Sequence, residues 1–265
     1  MFKVTVIQPP YHAGEHPDEV IGEFLLQQME QAEGDLIVLP EYSNAGGLSD
    51  PEKELAALPR AKEMLRAVAD FAAKNEKYVA INVLEDREGD LWNSTYLFDR
   101  KGKAAFRYDK IHLPPSEVSL KVSYGDGTCT CDLDGFRFGF MTCYDVYYNE
   151  QIEYLASQKP DIILIPGYQR GERTDIIRAQ AKLTAFRCNA YVARSSYSMG
   201  TEERGGCSMI VAPDGQILQD MGKEIGSITA EIDPKEKYMR TAGFGGGMVR
   251  NDDFIACGLR PEIFK

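Results

Sequence analysis

Phe136-Arg137-Phe138-Gly139-Phe140-Met141-Thr142-Cys143-Tyr144-Asp145 reads as a strand that closes on a thiol and passes through two polar residues into a helical stretch. A fold presents a nucleophile at such a step. Two other segments end in the same way, Ile37-Val38-Leu39-Pro40-Glu41 on a carboxylate and Phe106-Arg107-Tyr108-Asp109-Lys110 on an ammonium. A thiol, a carboxylate and an ammonium at the C-terminal ends of three strands are the parts of an acyl-transfer site.

Working outward from Cys143, the second half of the chain alternates strands and helices. Strand Phe136 to Thr142 is followed by a short helix around Gln151 to Ser157, strand Ile162 to Ile165, and a helix Thr174 to Cys188 expected to turn Ile176, Ala179, Leu183 and Phe186 inward. Strands near Tyr191 to Ser196, Ser208 to Val211 and Ile228 to Ile232 come next, with Pro213-Asp214-Gly215 as a turn. The first half has the same style. Strand Val4 to Gln8 precedes a helical pattern (Val20, Ile21, Phe24, Leu25, Met29), strand Asp35 to Pro40, and a helix carrying Leu65, Val68 and Ala72 on one face. Tyr78 to Leu84, Leu91 to Phe98 and Ala104 to Tyr108 lie close together between turn-rich stretches, which suits antiparallel hairpins. Two similar halves imply two mixed sheets packed face to face. Helices with one apolar stripe must then cover the outer faces, so the expected fold is α/β, a four-layer α-β-β-α sandwich.

Length and composition bound the rest. With 265 residues and 43% apolar content, one large domain over residues 1–265 is expected, since no linker, repeat or low-complexity segment marks a boundary. A formal charge of −11 and no clustered Lys/Arg run argue against nucleic-acid or anionic-membrane partners. Small substrates are favoured. No apolar stretch approaches the ~20 residues that span a bilayer, and the N-terminus enters a strand directly, so a cytoplasmic location is expected. The six cysteines (129, 131, 143, 188, 207 and 257) contain no CxxC pair and read as reduced thiols. Cys129 and Cys131 would share one strand face but have no further metal ligands near them in sequence.

A free thiol has a pKa of about 8.5, so a reactive cysteine needs a base or a positive environment. Glu41, at the end of a buried run and before Asn44-Ala45-Gly46-Gly47, is the candidate base, its pKa lifted by desolvation. Lys110 would stabilise thiolate and then an oxyanion, with the backbone N–H of Tyr144 as a second donor. Of the three histidines, His12 and His16 fall in a polar loop, and His112 reads as a structural hydrogen-bonding group; Cys-His chemistry is the rival.

Leu39-Pro40-Glu41, Lys110-Ile111-His112-Leu113 and Cys143-Tyr144-Asp145 resemble, in order and spacing, the Glu-Lys-Cys triad of the nitrilase or carbon-nitrogen hydrolase superfamily. Gly206 to Gly215 is similar to the family's late strand and turn, and Leu259-Arg260-Pro261-Glu262-Ile263-Phe264 to its C-terminal tail. The resemblance implies the α-β-β-α fold and a cysteine hydrolase of non-peptide C–N bonds. It also implies no cofactor or metal, and a homodimer or higher homo-oligomer. It further implies a second active-site glutamate soon after the lysine, for which Glu117 is the candidate, and a pocket residue at Tyr168.

Departures from the family pattern narrow the substrate. Where an Arg-Phe-Pro-Glu run is common, the chain reads Val146-Tyr147-Tyr148-Asn149-Glu150, which removes an arginine able to clamp a carboxylate and counts against N-carbamoyl amino acids. Where an Arg-Ala-x-Glu-Asn-like run is usual, Thr184 to Tyr191 must rebuild its ion pairing. Cys-Tyr-Asp looks like the amidase and carbamoylase branches, whereas nitrile cleavage tends to go with Cys-Trp-Glu. The expected reaction is therefore hydrolysis of a small amide, ω-amide or carbamoyl amine through a thioester, with nitrile hydrolysis or acyl transfer as the alternatives. Tyr144, Tyr147, Tyr148 and Tyr168 are expected either to wall the pocket or to serve a subunit interface.

Overall fold

The computed structural model describes residues 1–260 and Ile263. In chain order the first series of elements is Phe2–Gln8 (β1), Pro17–Gln31 (α1), Leu36–Val38 (β2), Pro51–Ala56 (α2), Leu58–Asn75 (α3), Tyr78–Arg87 (β3), Asp90–Phe98 (β4) and Ala104–Asp109 (β5). Pro115–Ser119 (α4) leads to the second: Thr130–Leu133 (β6), Phe136–Phe140 (β7), Asn149–Gln158 (α5), Ile162–Pro166 (β8), Thr174–Cys188 (α6), Tyr191–Ser195 (β9), Met209–Val211 (β10) and Ile217–Asp220 (β11). Gly226–Ile232 (β12), Met239–Thr241 (β13), Met248–Arg250 (β14) and Asn251–Ala256 (α7) complete the chain order.

Two six-stranded sheets form, in the orders β12-β1-β2-β3-β4-β5 and β11-β10-β9-β8-β7-β6. Both are mixed. β1, β2 and β3 are mutually parallel, as are β7, β8 and β9, with antiparallel strands at either side. Alternation along the strands decides the layers. Val4, Val6, Leu36, Val38, Tyr78 and Ala80 face the second sheet and share a core with Phe138, Phe140, Ile162 and Leu164. Across this interface Phe2 meets Phe136 at 5.2 Å between ring centroids and Tyr78 meets Phe138 at 6.0 Å. On the opposite face of the first sheet, Ile7, Ile37, Val79, Ile81 and Val83 pack on Ile21, Leu25 and Met29 of α1 and Met64, Val68 and Ala72 of α3. Strands buried on both faces read as continuous apolar runs, which is the character of Ile37-Val38-Leu39 and Tyr78 to Leu84. The α-β-β-α sandwich expected from the sequence is the observed fold.

Several local expectations differ from the structure. The buried side of α6 carries Thr174, Ile177, Ala181, Thr184, Ala185 and Cys188, whereas Ile176 and Leu183 are 41% and 47% exposed. Small residues let the helix approach the sheet closely, so the bulkier apolar stripe is left outside. Val20 of α1 is likewise exposed. The β3–β4 hairpin is longer than its charges suggest. Arg87 pairs with Asp90, and Glu88 and Gly89 both take positive φ (57° and 95°), as a tight two-residue turn requires. The halves are also not closed units, because β12 returns to pair antiparallel with β1 at the edge of the first sheet. Ion pairing at the end of α6 is rebuilt through Arg187 to Glu153. Of the tail residues, Pro261, Glu262 and Phe264 lie outside the described residues. No helix among the described residues is long and apolar enough to cross a membrane.

Candidate active site

Cys143 follows β7 after Met141, whose N–H still bonds Leu164 O at 3.1 Å, and Thr142. The chain then turns sharply. Cys143 takes φ 46°, a left-handed conformation that a side-chain-bearing residue adopts only when its surroundings enforce it. Enforcement comes from a capping box around the short 3-10 turn Cys143–Tyr147, in which the side chains of Thr142 and Asp145 and each other's backbone N–H groups bond reciprocally. Buried Asp145 also accepts from Tyr108 Oη (2.6 Å) and from the N–H of His112 (2.9 Å). The His112 ring bonds Asp145 through Nδ1 at 2.9 Å and stacks on Tyr148 at 3.8 Å. His112 is thus the structural group that the sequence suggested, holding the turn that carries the thiol.

Glu41 arrives from the first sheet, two residues beyond the pairing of Leu39 N–H with Ala80 O. Lys110 follows β5 directly, and Glu117 lies on α4. The Lys110 ammonium donates to Glu41 Oε1 at 2.8 Å and to Glu117 Oε1 at 2.9 Å, with all three side chains buried. Asn93 Nδ2 donates to the same two oxygens, at 2.8 Å each. Asn93 is oriented in turn by Asn82 Nδ2 (2.7 Å), and Tyr42 Oη donates to Glu117 Oε1 at 2.7 Å. Asn82 Oδ1 accepts the N–H of Tyr42 at 2.8 Å, and Tyr42 is itself at φ 55°. Glu117 Oε2 is buried with no hydrogen-bond partner.

Electrostatics follow from one cation set between two carboxylates. Burial pushes the Glu41 carboxyl above its ordinary range despite Lys110, and Glu117's charge adds to the rise. Lys110 is held firmly protonated by Glu41 and Glu117, against burial. The Cys143 thiol is pushed well above its usual value by burial first and then by the Glu41 charge. Lys110 and the backbone N–H of Tyr168 act in the other direction and are outweighed. The thiol therefore sits where burial and the Glu41 charge disfavour thiolate, while Lys110, already engaged by two carboxylates, favours it.

Glu41, Lys110, Glu117 and Cys143 line one cavity of about 520 Å³, with Tyr144, Tyr147 and Tyr168 in its wall. Tyr148 does not line it, being committed to His112. The Tyr168 ring packs inward, its hydroxyl donating to Leu48 O and accepting from the Gly47 N–H at 3.1 Å each, while its main chain faces the Cys143 sulfur. Tyr144 lies at the N-terminal end of the 3-10 turn, where backbone N–H groups lack intrahelical partners. Sequence reasoning missed Asn82, Asn93, Tyr42, Gln169 and Arg170. An asparagine inside the apolar run Ile81-Asn82-Val83 was the available signal, since a strand core admits one only with a partner. Cys129 and Cys131 pack on the intersheet core, and no metal-binding cluster of three or more His, Cys, Asp or Glu occurs among the described residues.

The family model described as carbon-nitrogen hydrolase matches residues 4–238. A 2-oxoglutaramate amidase of Bacillus subtilis (strain 168) is 28% identical over 223 residues, covering 81% of this chain and 83% of the relative. An omega-amidase of Saccharomyces cerevisiae is 24% identical over 258 residues, covering 88% and 87%. Among solved structures, an amidase of Nesterenkonia AN1 from the nitrilase superfamily superposes with a TM-score of 0.75 at 17% identity, covering 88% of this chain and 91% of that one. At that identity the likeness is one of fold.

Proposed function

The chain belongs to the carbon-nitrogen hydrolase family, and from that membership we propose that it hydrolyses the amide bond of a small molecule with Cys143 as nucleophile, Glu41 as general base and Lys110 as electrostatic stabiliser. One observation carries the reading: a thiol, a buried carboxylate whose second oxygen is not engaged by Lys110, and a buried ammonium border the same cavity. Amidase names among the sequence relatives favour amides over nitriles.

In this mechanism the Cys143 proton passes to Glu41 as sulfur attacks the amide carbon, so that thiolate forms only when there is a bond to make. The carbonyl π electrons move to oxygen. Lys110 has three N–H donors, two of them engaged by Glu41 and Glu117; the third and the Tyr144 N–H receive the oxyanion. Protonated Glu41 gives its proton to the departing nitrogen, and the C–N bond breaks to leave a thioester on Cys143. Water, deprotonated by Glu41, then attacks the thioester, and the thiol is regenerated as the acid leaves. Glu117, which holds Lys110 and lines the cavity, tunes the ammonium and helps to orient the substrate amide. A homo-oligomer in the cytoplasm belongs to the same reading, and light scattering tests the assembly.

Cys143→Ala is expected to lower ammonia release from amides by about 10⁶-fold, the scale seen when a covalent hydrolase loses its nucleophile, with an unchanged melting curve. Glu41→Gln is expected to stop acylation. Ammonia release by Cys143→Ala at the native rate, or a complete acyl adduct on Glu41→Gln at the native rate, would overturn the assignment.

A further inference from the structure

We propose that Arg170 determines specificity in this cavity, and that the substrate amide carries a carboxylate at the end remote from the bond cleaved. The inference rests on the amidase reading above. The run after Cys143 supplies no cation there, since the Tyr147 hydroxyl lining the cavity donates to Glu172 Oε2 at 2.5 Å and accepts from Gln169 Nε2 at 3.3 Å. A cation comes instead from the loop that leaves β8. Tyr168, Gln169 and Arg170 all line the cavity.

The guanidinium of Arg170 is held rather than free. It lies over the Tyr168 ring at 4.7 Å and the Tyr11 ring at 5.4 Å, and Nη1 donates to Tyr11 Oη at 2.7 Å. The loop beneath it is anchored as well, because Gln169 Oε1 accepts from Arg194 Nη2 at 3.0 Å and Gln169 Nε2 donates to Gln180 at 2.9 Å. Arg170 forms no ion pair among the described residues, although it is half-buried. A guanidinium has five N–H donors in a planar fork, and Tyr11 engages one of its nitrogens. Such a fork, fixed by stacking and short of partners, matches the two oxygens of a carboxylate.

The competing charges are two carboxylates that line the same cavity. Glu172 is engaged, accepting from Tyr147 and from the Arg173 N–H at 3.0 Å. Glu54, on α2, also lines the cavity, where burial raises its pKa and the Arg170 charge acts against that rise, and it makes no ion pair with the guanidinium among the described residues. Lys110 gives two of its three N–H donors to Glu41 and Glu117 and keeps the third for the reacting end. Beyond that end, Arg170 is the cation of the wall left to read the substrate.

The test compares succinamate and glutaramate with levulinamide, a neutral isostere, and γ-aminobutyramide, a cationic one, on wild type, Arg170→Gln and Arg170→Lys. Wild type is expected to prefer the carboxylates in kcat/KM by roughly 10- to 100-fold, the scale of a hydrogen-bonded charge contact. Arg170→Gln is expected to collapse that ratio, chiefly through KM, and Arg170→Lys to restore part of it; a purely structural loss would lower all four substrates together. Equal use of succinamate and levulinamide by wild type, preference for γ-aminobutyramide, or an unchanged ratio in Arg170→Gln overturns the inference. If wild type cleaves no amide, the amidase reading fails. Calorimetric titration of Cys143→Ala with succinamate against levulinamide, and of the same variant carrying Arg170→Gln, still decides the carboxylate site.

Discussion

At Cys143 the forces on one sulfur can be ranked, and the ranking has a consequence for reactivity. Burial and the Glu41 charge favour the thiol, while Lys110 and the Tyr168 N–H favour thiolate and lose. Removing the Glu41 charge in Glu41→Gln therefore lowers the Cys143 pKa, so the pH midpoint of its alkylation by iodoacetamide is expected to move down even as amide turnover stops. Peptide mass spectrometry across a pH series checks this; a midpoint that stays or rises contradicts the ranking. Cys257 is exposed and is expected to label in both proteins, whereas buried Cys188 and Cys207 serve as inert controls. Labelling confined to Cys143 is not expected, because Cys257 is exposed. Glu41, Lys110 and Cys143, which line one cavity, were legible from their places at strand ends. Asn93 and Arg170 were not, since a lone asparagine or arginine in sequence carries no sign of what lies across the cavity.

The segments that deliver those residues are held by backbone contacts at their ends. Lys110 leaves β5 with its N–H on Asn93 O at 2.9 Å, and its own carbonyl accepts the Gly125 N–H at 2.9 Å. Gly125 has no room for a side chain, since an added Cβ would lie 2.0 Å from Asp109 O and 3.3 Å from Lys110 O. Gly125→Ala must push the end of β5 or the 123–125 loop aside. It is expected to destabilise the fold by about 1–3 kcal/mol, as overpacking does, and to lower turnover disproportionately because Lys110 moves with the strand. Urea melts and kcat measured on the same preparation check this, and full activity at native stability would contradict it. The same scale explains the misread face of α6. Ile176, Leu183 and Phe186 have the helical period of a buried stripe, but Ala181 and Ala185 allow the closer approach and so take the sheet side.

Across the whole molecule, the site exists because two sheets meet with the ends of their strands on one side. The first sheet brings Glu41 and Lys110, and the second brings Cys143 and the Tyr168–Arg170 loop. Several polar links run between them, and two lie beside the Cys143 turn. Thr95 and Thr142 hydroxyls lie 3.0 Å apart, and Tyr108 Oη donates to Asp145 Oδ2 at 2.6 Å. Tyr108→Phe keeps the ring and deletes the bond to a buried carboxylate, at an expected cost of about 1–3 kcal/mol. It should also lower kcat by letting the Cys143 turn drift from Lys110, and a Tyr108→Phe enzyme with unchanged melting and kcat would show that the link does not register the sheets.

What the sequence determined by itself was whatever repeats with a local period: strands buried on both faces, helices with an apolar stripe, and a thiol, carboxylate and ammonium each placed where a strand ends. Those features depend on neighbours within a few residues, so they are written in the order of the chain. Tertiary structure alone decided which α6 face is buried, that β12 returns to the first sheet, that burial and the Glu41 charge both act against thiolate at Cys143, and that Arg170 stands in the cavity. Each of these depends on charges and volumes brought together from distant parts of the chain, and burial makes such encounters strong enough to override local pattern.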